Sequence, residues 1–298
     1  MLFQSLALSN PANVAPGSPT CGPFGEDNTY TTAKGQVIQG TRVGLGPNFS
    51  NDMYTSSMGN SSSNALEASL RHTGSTLDTT FSYTYSKSID QASSLSDPVD
   101  PYDFRRTRAL SAWDMAHNFV STSRYALPLD RFFGRAKGWA DGWAVSGIVR
   151  ASTGLPVTLH SDGDNSLLGS IPNGLNNHSI DLPDYNGAPL KLNGNPRNGL
   201  PYFDTSAFSL NTLGEPGTAS RRFFHGPGAF NVDLALMKNF TVTQEKSLQF
   251  RVEAFNAFNH TQFFGPSAVD GGITTPLFGQ VVNAAPPRVM QAALKFLF

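Results

Sequence analysis

Residues 142–152 read GWAVSGIVRAS. Trp143, Val145, Gly147, Val149 and Ala151 fall on one side of an extended chain, and Ala144, Ser146, Ile148, Arg150 and Ser152 fall on the other. A period of two is the mark of a β-strand, because successive side chains leave opposite faces of the pleated backbone. The same phase resumes at Leu155, Val157 and Leu159, so the spacing predicts a strand over 142–159.

Other segments repeat this pattern. Leu66, Ala68 and Leu70 oppose Glu67, Ser69 and Arg71. Phe81, Tyr83 and Tyr85 oppose Ser82, Thr84 and Ser86. Phe119, Tyr125 and Leu127 share a phase that Val120 breaks, and Pro128 ends that run because it cannot donate into a ladder. Toward the C-terminus, Val232, Leu234 and Leu236 alternate with polar residues. So do Leu248, Phe250, Val252 and Ala254, and then Met290, Ala292, Leu294, Phe296 and Phe298. The predicted strands are 64–72, 77–88, 117–127, 142–159, 229–240, 247–258 and 288–298, with a further short one near Gln36–Arg42. Helical periodicity persists nowhere beyond about one turn.

The connections between these strands alternate in length. Short or medium links lie at about 73–78, 128–141 and 241–246. Long ones lie at about 89–116, 160–228 and 259–287. Outer-membrane barrels have this asymmetry, with tight turns on the periplasmic rim and long loops outside. The expected fold is all-β, an antiparallel meander of transmembrane strands forming part of an outer-membrane β-barrel in the Gram-negative cell outer membrane. Residues 1–62 read as an irregular, extracellular-loop-like segment, and 63–298 as the C-terminal barrel portion with a long loop at about 160–228. A soluble or surface β-sandwich that binds carbohydrate or protein through long loops is the alternative.

Composition narrows the classes. Charged residues are 14% of the 298, against about 25% in an ordinary soluble domain. A net charge of -1 argues against charge-driven disorder and gives no electrostatic case for binding nucleic acid. The single cysteine, Cys21, excludes an internal disulfide and any multi-cysteine zinc site. No run approaches the roughly 18–20 apolar residues of a membrane helix. The first 22 residues, MLFQSLALSNPANVAPGSPTCG, lack a basic start and an apolar run, so a leader is expected to be absent or to lie upstream of Met1. Asp162-Gly163-Asp164-Asn165 lacks the spacing and distal Glu of a calcium loop. His72, His117, His160, His178, His225 and His260 form no metal-binding doublet, and no G-x-S-x-G elbow is present. No enzyme activity, cofactor or metal is expected.

Six stretches resemble the barrel of TonB-dependent outer-membrane receptors of the Oar-like, carboxypeptidase-regulatory-like branch. They are SSSNALEASLRH (61–72), TTFSYTYSKSID (79–90), GWAVSGIVRASTGLPVTL (142–159), GPGAFNVDLALMKNF (226–240), SLQFRVEAFNAFNH (247–260) and PRVMQAALKFLF (287–298). The resemblance spans about residues 50–298. It implies a C-terminal fragment of a transporter whose barrel has about 22 strands around a plug. It also implies that the chain alone is not transport-competent. The signal peptide, regulatory-like domain, plug and TonB-contacting segment of such receptors are expected to lie outside this chain, so TonB would be met only through that absent N-terminal part.

On the barrel reading, several residues take expected places. Glu67, Arg71, Arg150, Arg251, Glu253 and Lys295 oppose apolar faces and are expected to face the lumen. Tyr83 and Tyr85 are expected in an aromatic girdle near the outer rim, and Trp139, Trp143, Phe240 and Phe296 near the inner one. The resemblance implies that Leu294, Phe296 and Phe298 form the signal read by the barrel-assembly machinery. The implied partners are outer-membrane lipid, that machinery, and the remaining barrel and plug.

Overall fold

The computed structural model describes residues 29–31, 37–39, 59–94, 97, 103–131, 137–162, 165, 181–212, 215–243 and 245–298. Seven long strands dominate it: β1 (Ser61–Thr73), β2 (Leu77–Asp90), β3 (His117–Ala126), β4 (Trp143–Ser152), β5 (Ala229–Thr241), β6 (Ser247–Phe255) and β7 (Val289–Leu297). Each pairs antiparallel with its neighbour in sequence, giving one continuous meander from β1 to β7. The expected topology and all seven expected strands are present.

Register carries alternation across the whole sheet. Leu66 stands opposite Tyr85, Tyr83 opposite Phe119, and Phe119 opposite Ala151. Ala151 stands opposite Phe230, Leu236 opposite Val252, and Val252 opposite Ala292. Paired residues share a face, so these side chains form one apolar surface from edge to edge. The other surface carries Glu67, Arg124, Arg150, Asp233, Arg251, Glu253 and Lys295.

The apolar surface is not a dry core. Leu66, Leu70 and Leu294 are 66%, 67% and 67% exposed. A two-residue strand, Ala109–Leu110, adds to the outer end of β2, and two small sheets, Thr29–Thr31 with Val37–Gln39 and Asp184–Tyr185 with Phe208–Ser209, stand apart from the meander. A sandwich would press a second sheet about 10 Å from the apolar face. None lies there among the described residues. Among the described residues β1 and β7 are the edges of the meander and do not pair with each other; with seven strands they run in the same direction, and the sheet is open.

Two features depart from expectation. The strand expected over 142–159 stops at Ser152. At Gly154 the chain passes so close to its neighbour that a Cβ would sit 2.1 Å from the Gly226 carbonyl oxygen. Leu155, Val157 and Leu159 then leave the sheet and enter a different core. Likewise 247–258 ends at Phe255, where Asn256 turns to a φ of 51°. Strand β1 begins at Ser61, inside the segment expected to be irregular; most of 1–62, with Cys21, lies outside the described residues.

The buried core lies among the long connections. Val157, Leu159, Tyr202, Phe203, Ala207, Phe208, Ala219, Phe224 and Val269 pack together, with Tyr185, Phe223 and Phe278 against them. The Phe203 ring meets those of Phe208, Phe224 and Phe278 at centroid distances of 5.5, 5.1 and 5.3 Å, edge to face. The segment expected to be irregular at 160–228 therefore supplies much of a packed cap at the long-loop end of the sheet.

Candidate functional site

Two constellations carry the polar chemistry. The first is the polar face of the sheet, where Arg71, Asp78, Arg124, Asp233, Arg251 and Glu253 line a hollow of about 350 Å³. Arg124 Nη1 lies 3.9 Å from Asp78 Oδ2, both half exposed. Arg251 pairs with Glu253, which also accepts from the Gln291 side chain on β7. Asp233 accepts from the Asn231 side chain at 2.8 Å and from the Asn256 amide at 2.8 Å, tying β5 to the end of β6. Cations and carboxylates alternate here, so the surface favours a hydrated, mixed-sign path over a site for one charge. Glu67, Arg150 and Lys295 lie on the same face.

Trp139, Trp143, Phe240 and Phe296 lie at the short-link end of the sheet. Trp139 sits in a single helical turn, Lys137–Ala140, and its ring meets Trp143 edge on at 6.0 Å. The Trp143 indole N–H donates to the Trp139 carbonyl at 2.9 Å. Phe240 pairs across with Leu248, which pairs with Phe296, and the Phe298 ring lies 5.9 Å from Phe296. Leu294 lies on the same face, opposite Phe250. Lys238 breaks the alternation, standing on the apolar face opposite Trp143. Its stem runs along the apolar surface while its ammonium reaches the rim, donating to the Asp141 and Gly138 carbonyls and sitting 4.8 Å from the Phe240 ring centre. At the other rim, Tyr85 stands opposite His117, level with the outer end of β3, and Tyr83 is one alternate step deeper.

The second constellation escaped the sequence reading. Arg221 and Arg222 are 1% and 5% exposed. Arg222 clasps Asp97 with both terminal nitrogens, at 3.0 and 2.6 Å. Arg221 lies 2.9 Å from Asp90 and 3.6 Å from Asp97, and donates to the Gln91 carbonyl at 2.9 Å. Arg222 Nε donates to the Thr158 hydroxyl at 2.7 Å. Nearby, His225 Nε2 is 2.8 Å from Asp114 Oδ2. Two long connections, β2 to β3 and β4 to β5, are thus bolted to each other and to the outer end of β2. An Arg-Arg doublet in a charge-poor segment was the one available signal.

The electrostatics of this cluster favour the charged state. Burial alone would raise the Asp97 carboxyl, but its bond to Arg222 and the charges of Arg221 and Arg222 hold it below the usual carboxylate range. Burial pulls Arg221 down, opposed by Asp97 and Asp90. A carboxyl lowered on folding stabilises the fold above its unfolded value, about 3.9. That contribution fades as pH falls through the lower folded value. Acid is therefore expected to loosen the cap before the sheet. Amide exchange at Arg221–Phe224 should accelerate below about pH 4, with β5 amides still protected; equal acceleration in both would refute this order.

Comparison with known proteins agrees with the geometry. A family model described as an outer membrane beta barrel domain matches residues 4–291. No curated protein and no solved structure matches the chain. With an apolar belt open on one face, a charged face opposite and all long connections at one rim, the chain belongs to the outer membrane beta barrel domain family, and its place is the outer membrane.

Proposed function

We propose that this chain is the C-terminal part of the barrel of a TonB-dependent receptor of the Oar-like branch. It acts as a wall and outer cap rather than as an enzyme, and it is not transport-competent by itself. The observation that carries this reading is the open meander, whose edge strands β1 and β7 run the same way. An antiparallel barrel can close on such a sector only through an odd number of further strands. Two copies cannot supply them, because β7 of one would meet β1 of the other in parallel. The six family-like stretches, in their order, supply the finer assignment. On this reading the paired charges of the polar face line the lumen and meet a plug, TonB is engaged through a segment preceding this chain, and Leu294, Phe296 and Phe298 present the strand read by the assembly machinery.

The test uses antibodies to the cap on native outer membranes. The recognised product should be much longer than 298 residues. It should cross-link to TonB from the periplasmic side only in energised cells. Energised uptake by this chain alone in reconstituted vesicles would overturn the reading.

A further inference from the structure

Four asparagines of the chain precede glycine: Asn173, Asn186, Asn193 and Asn198. Asn173 lies outside the described residues, and the other three sit on loops of the cap. Such a pair sets an electrophile beside a nucleophile. The glycine nitrogen can reach the asparagine side-chain amide carbon, and no Cβ on the glycine hinders the approach. None of Gly187, Gly194 and Gly199 donates its N–H to another described residue.

The three pairs differ in how the carboxamide is held. Each carbonyl oxygen accepts from the backbone amide two residues on: from Ala188 at 2.9 Å for Asn186, from Asn195 at 3.0 Å for Asn193, and from Leu200 at 3.0 Å for Asn198. Asn193 and Asn198 are also bonded to each other. Asn193 Nδ2 donates to Asn198 Oδ1 at 2.8 Å and to the Pro201 carbonyl at 3.3 Å, and Asn198 Nδ2 donates to Asn193 Oδ1 at 3.3 Å. Turning either carboxamide toward its glycine breaks that reciprocal pair. Asn186 Nδ2 donates to no described residue, and Asn186, Gly187 and Ala188 are all exposed. The backbone there is fixed, because the Asn186 amide donates to the Ala207 carbonyl at 3.1 Å. The Ala188 N–H therefore stands where negative charge develops on Oδ1, and the nitrogen that must leave faces water.

We propose that Asn186 is a site of spontaneous deamidation, with water as the only co-reactant. The Gly187 nitrogen gives its proton to water and bonds to Asn186 Cγ. The Cγ–Nδ2 bond breaks, and the nitrogen takes a proton from water and leaves as ammonia. Water then opens the succinimide ring at either carbonyl, leaving aspartate or isoaspartate with no change of oxidation state. Either product places a carboxylate one residue beyond the Asp184–Tyr185 strand, and isoaspartate also adds a methylene to the backbone. The cap of an old molecule then differs in charge from that of a new one.

Outer membranes holding the native protein would be incubated at neutral pH in water enriched in heavy oxygen, which marks each opened succinimide. Trypsin cuts after Lys191, Arg197 and Arg221, so the three pairs fall in separate peptides, and fragmentation distinguishes Asn186 from Asn173. Asn186 should take up the label about tenfold faster than Asn193 or Asn198, the factor set by the bonds those two must break. The ranking should vanish in urea-unfolded protein, where all three are plain Asn–Gly sequences. Asn193→Ala should speed Asn198 about fivefold by removing its partner. Equal rates in the folded protein, a ranking that survives urea, or an Asn198 rate unmoved by Asn193→Ala would overturn the proposal.

Discussion

Val252→Arg, introduced into the assembled barrel, should cost about 2–4 kcal/mol, the range for a cation on the lipid face near the midplane. Gln249→Arg, three residues away, should cost far less. The contrast follows from the pairing of β6. Val252 sits between Leu236 and Ala292, in the apolar row with Phe250 and Ala254. Gln249 sits between Asn239 and Lys295, and its side chain donates to Asn239 Oδ1 at 2.9 Å. An arginine at Val252 meets acyl chains with no partner, one alternate step deeper than Phe250, which stands opposite Lys238. An arginine at Gln249 meets water and neighbouring polar groups. Urea unfolding in lipid vesicles measures both variants on one scale; equal costs would contradict the assignment of faces.

The other large effect belongs to the cap. Asp97→Ala leaves Arg221 and Arg222 buried without their shared carboxylate. Removing one member of a buried ionic cluster costs about 3–5 kcal/mol, most of it the penalty on the charges left behind. The loss should appear as faster amide exchange or proteolysis in the cap segments around Tyr202–Phe208 and Arg221–Phe224. Protection of β5 and β6 should stay near its original level, because the cap has its own aromatic core and the sheet keeps its own ladder. Uniform loss of protection across cap and sheet would show that the two are one cooperative unit. Replacing Asp90, Asp97, Arg221 and Arg222 together by apolar residues of similar volume should be far milder than Asp97→Ala, since none of the four is left as an orphaned charge.

The two regions differ in how legible they were. The sheet is written in local period: each strand declares its two faces within about ten residues, and the alternation of short and long links orders the strands. The rule failed only where another force intervened. Val157 and Leu159 keep the strand phase yet enter the cap, because Gly154 lets the chain cross against Gly226 and the Val157 amide finds the Phe224 carbonyl at 3.1 Å. Lys238 violates the apolar face but reaches rim carbonyls. The cap has no period to read. Phe203, Phe208, Phe224 and Phe278 meet through folding of segments far apart in the chain, and Arg221 reaches Asp90 across 131 positions. Sequence separation of that size leaves no local signature. The adjacency of Arg221 and Arg222 was visible, but its partners were not.

The most direct measurement of the membrane account places a nitroxide spin label at Val252, and separately at Gln249, within outer membranes. Collisions with dissolved oxygen and with an aqueous nickel chelate are then compared. A lipid-facing β6 requires the Val252 label to be relaxed by oxygen and shielded from nickel, and the Gln249 label to be reached by nickel. A Val252 label that nickel reaches, or that neither reagent reaches, would contradict a lipid-facing β6.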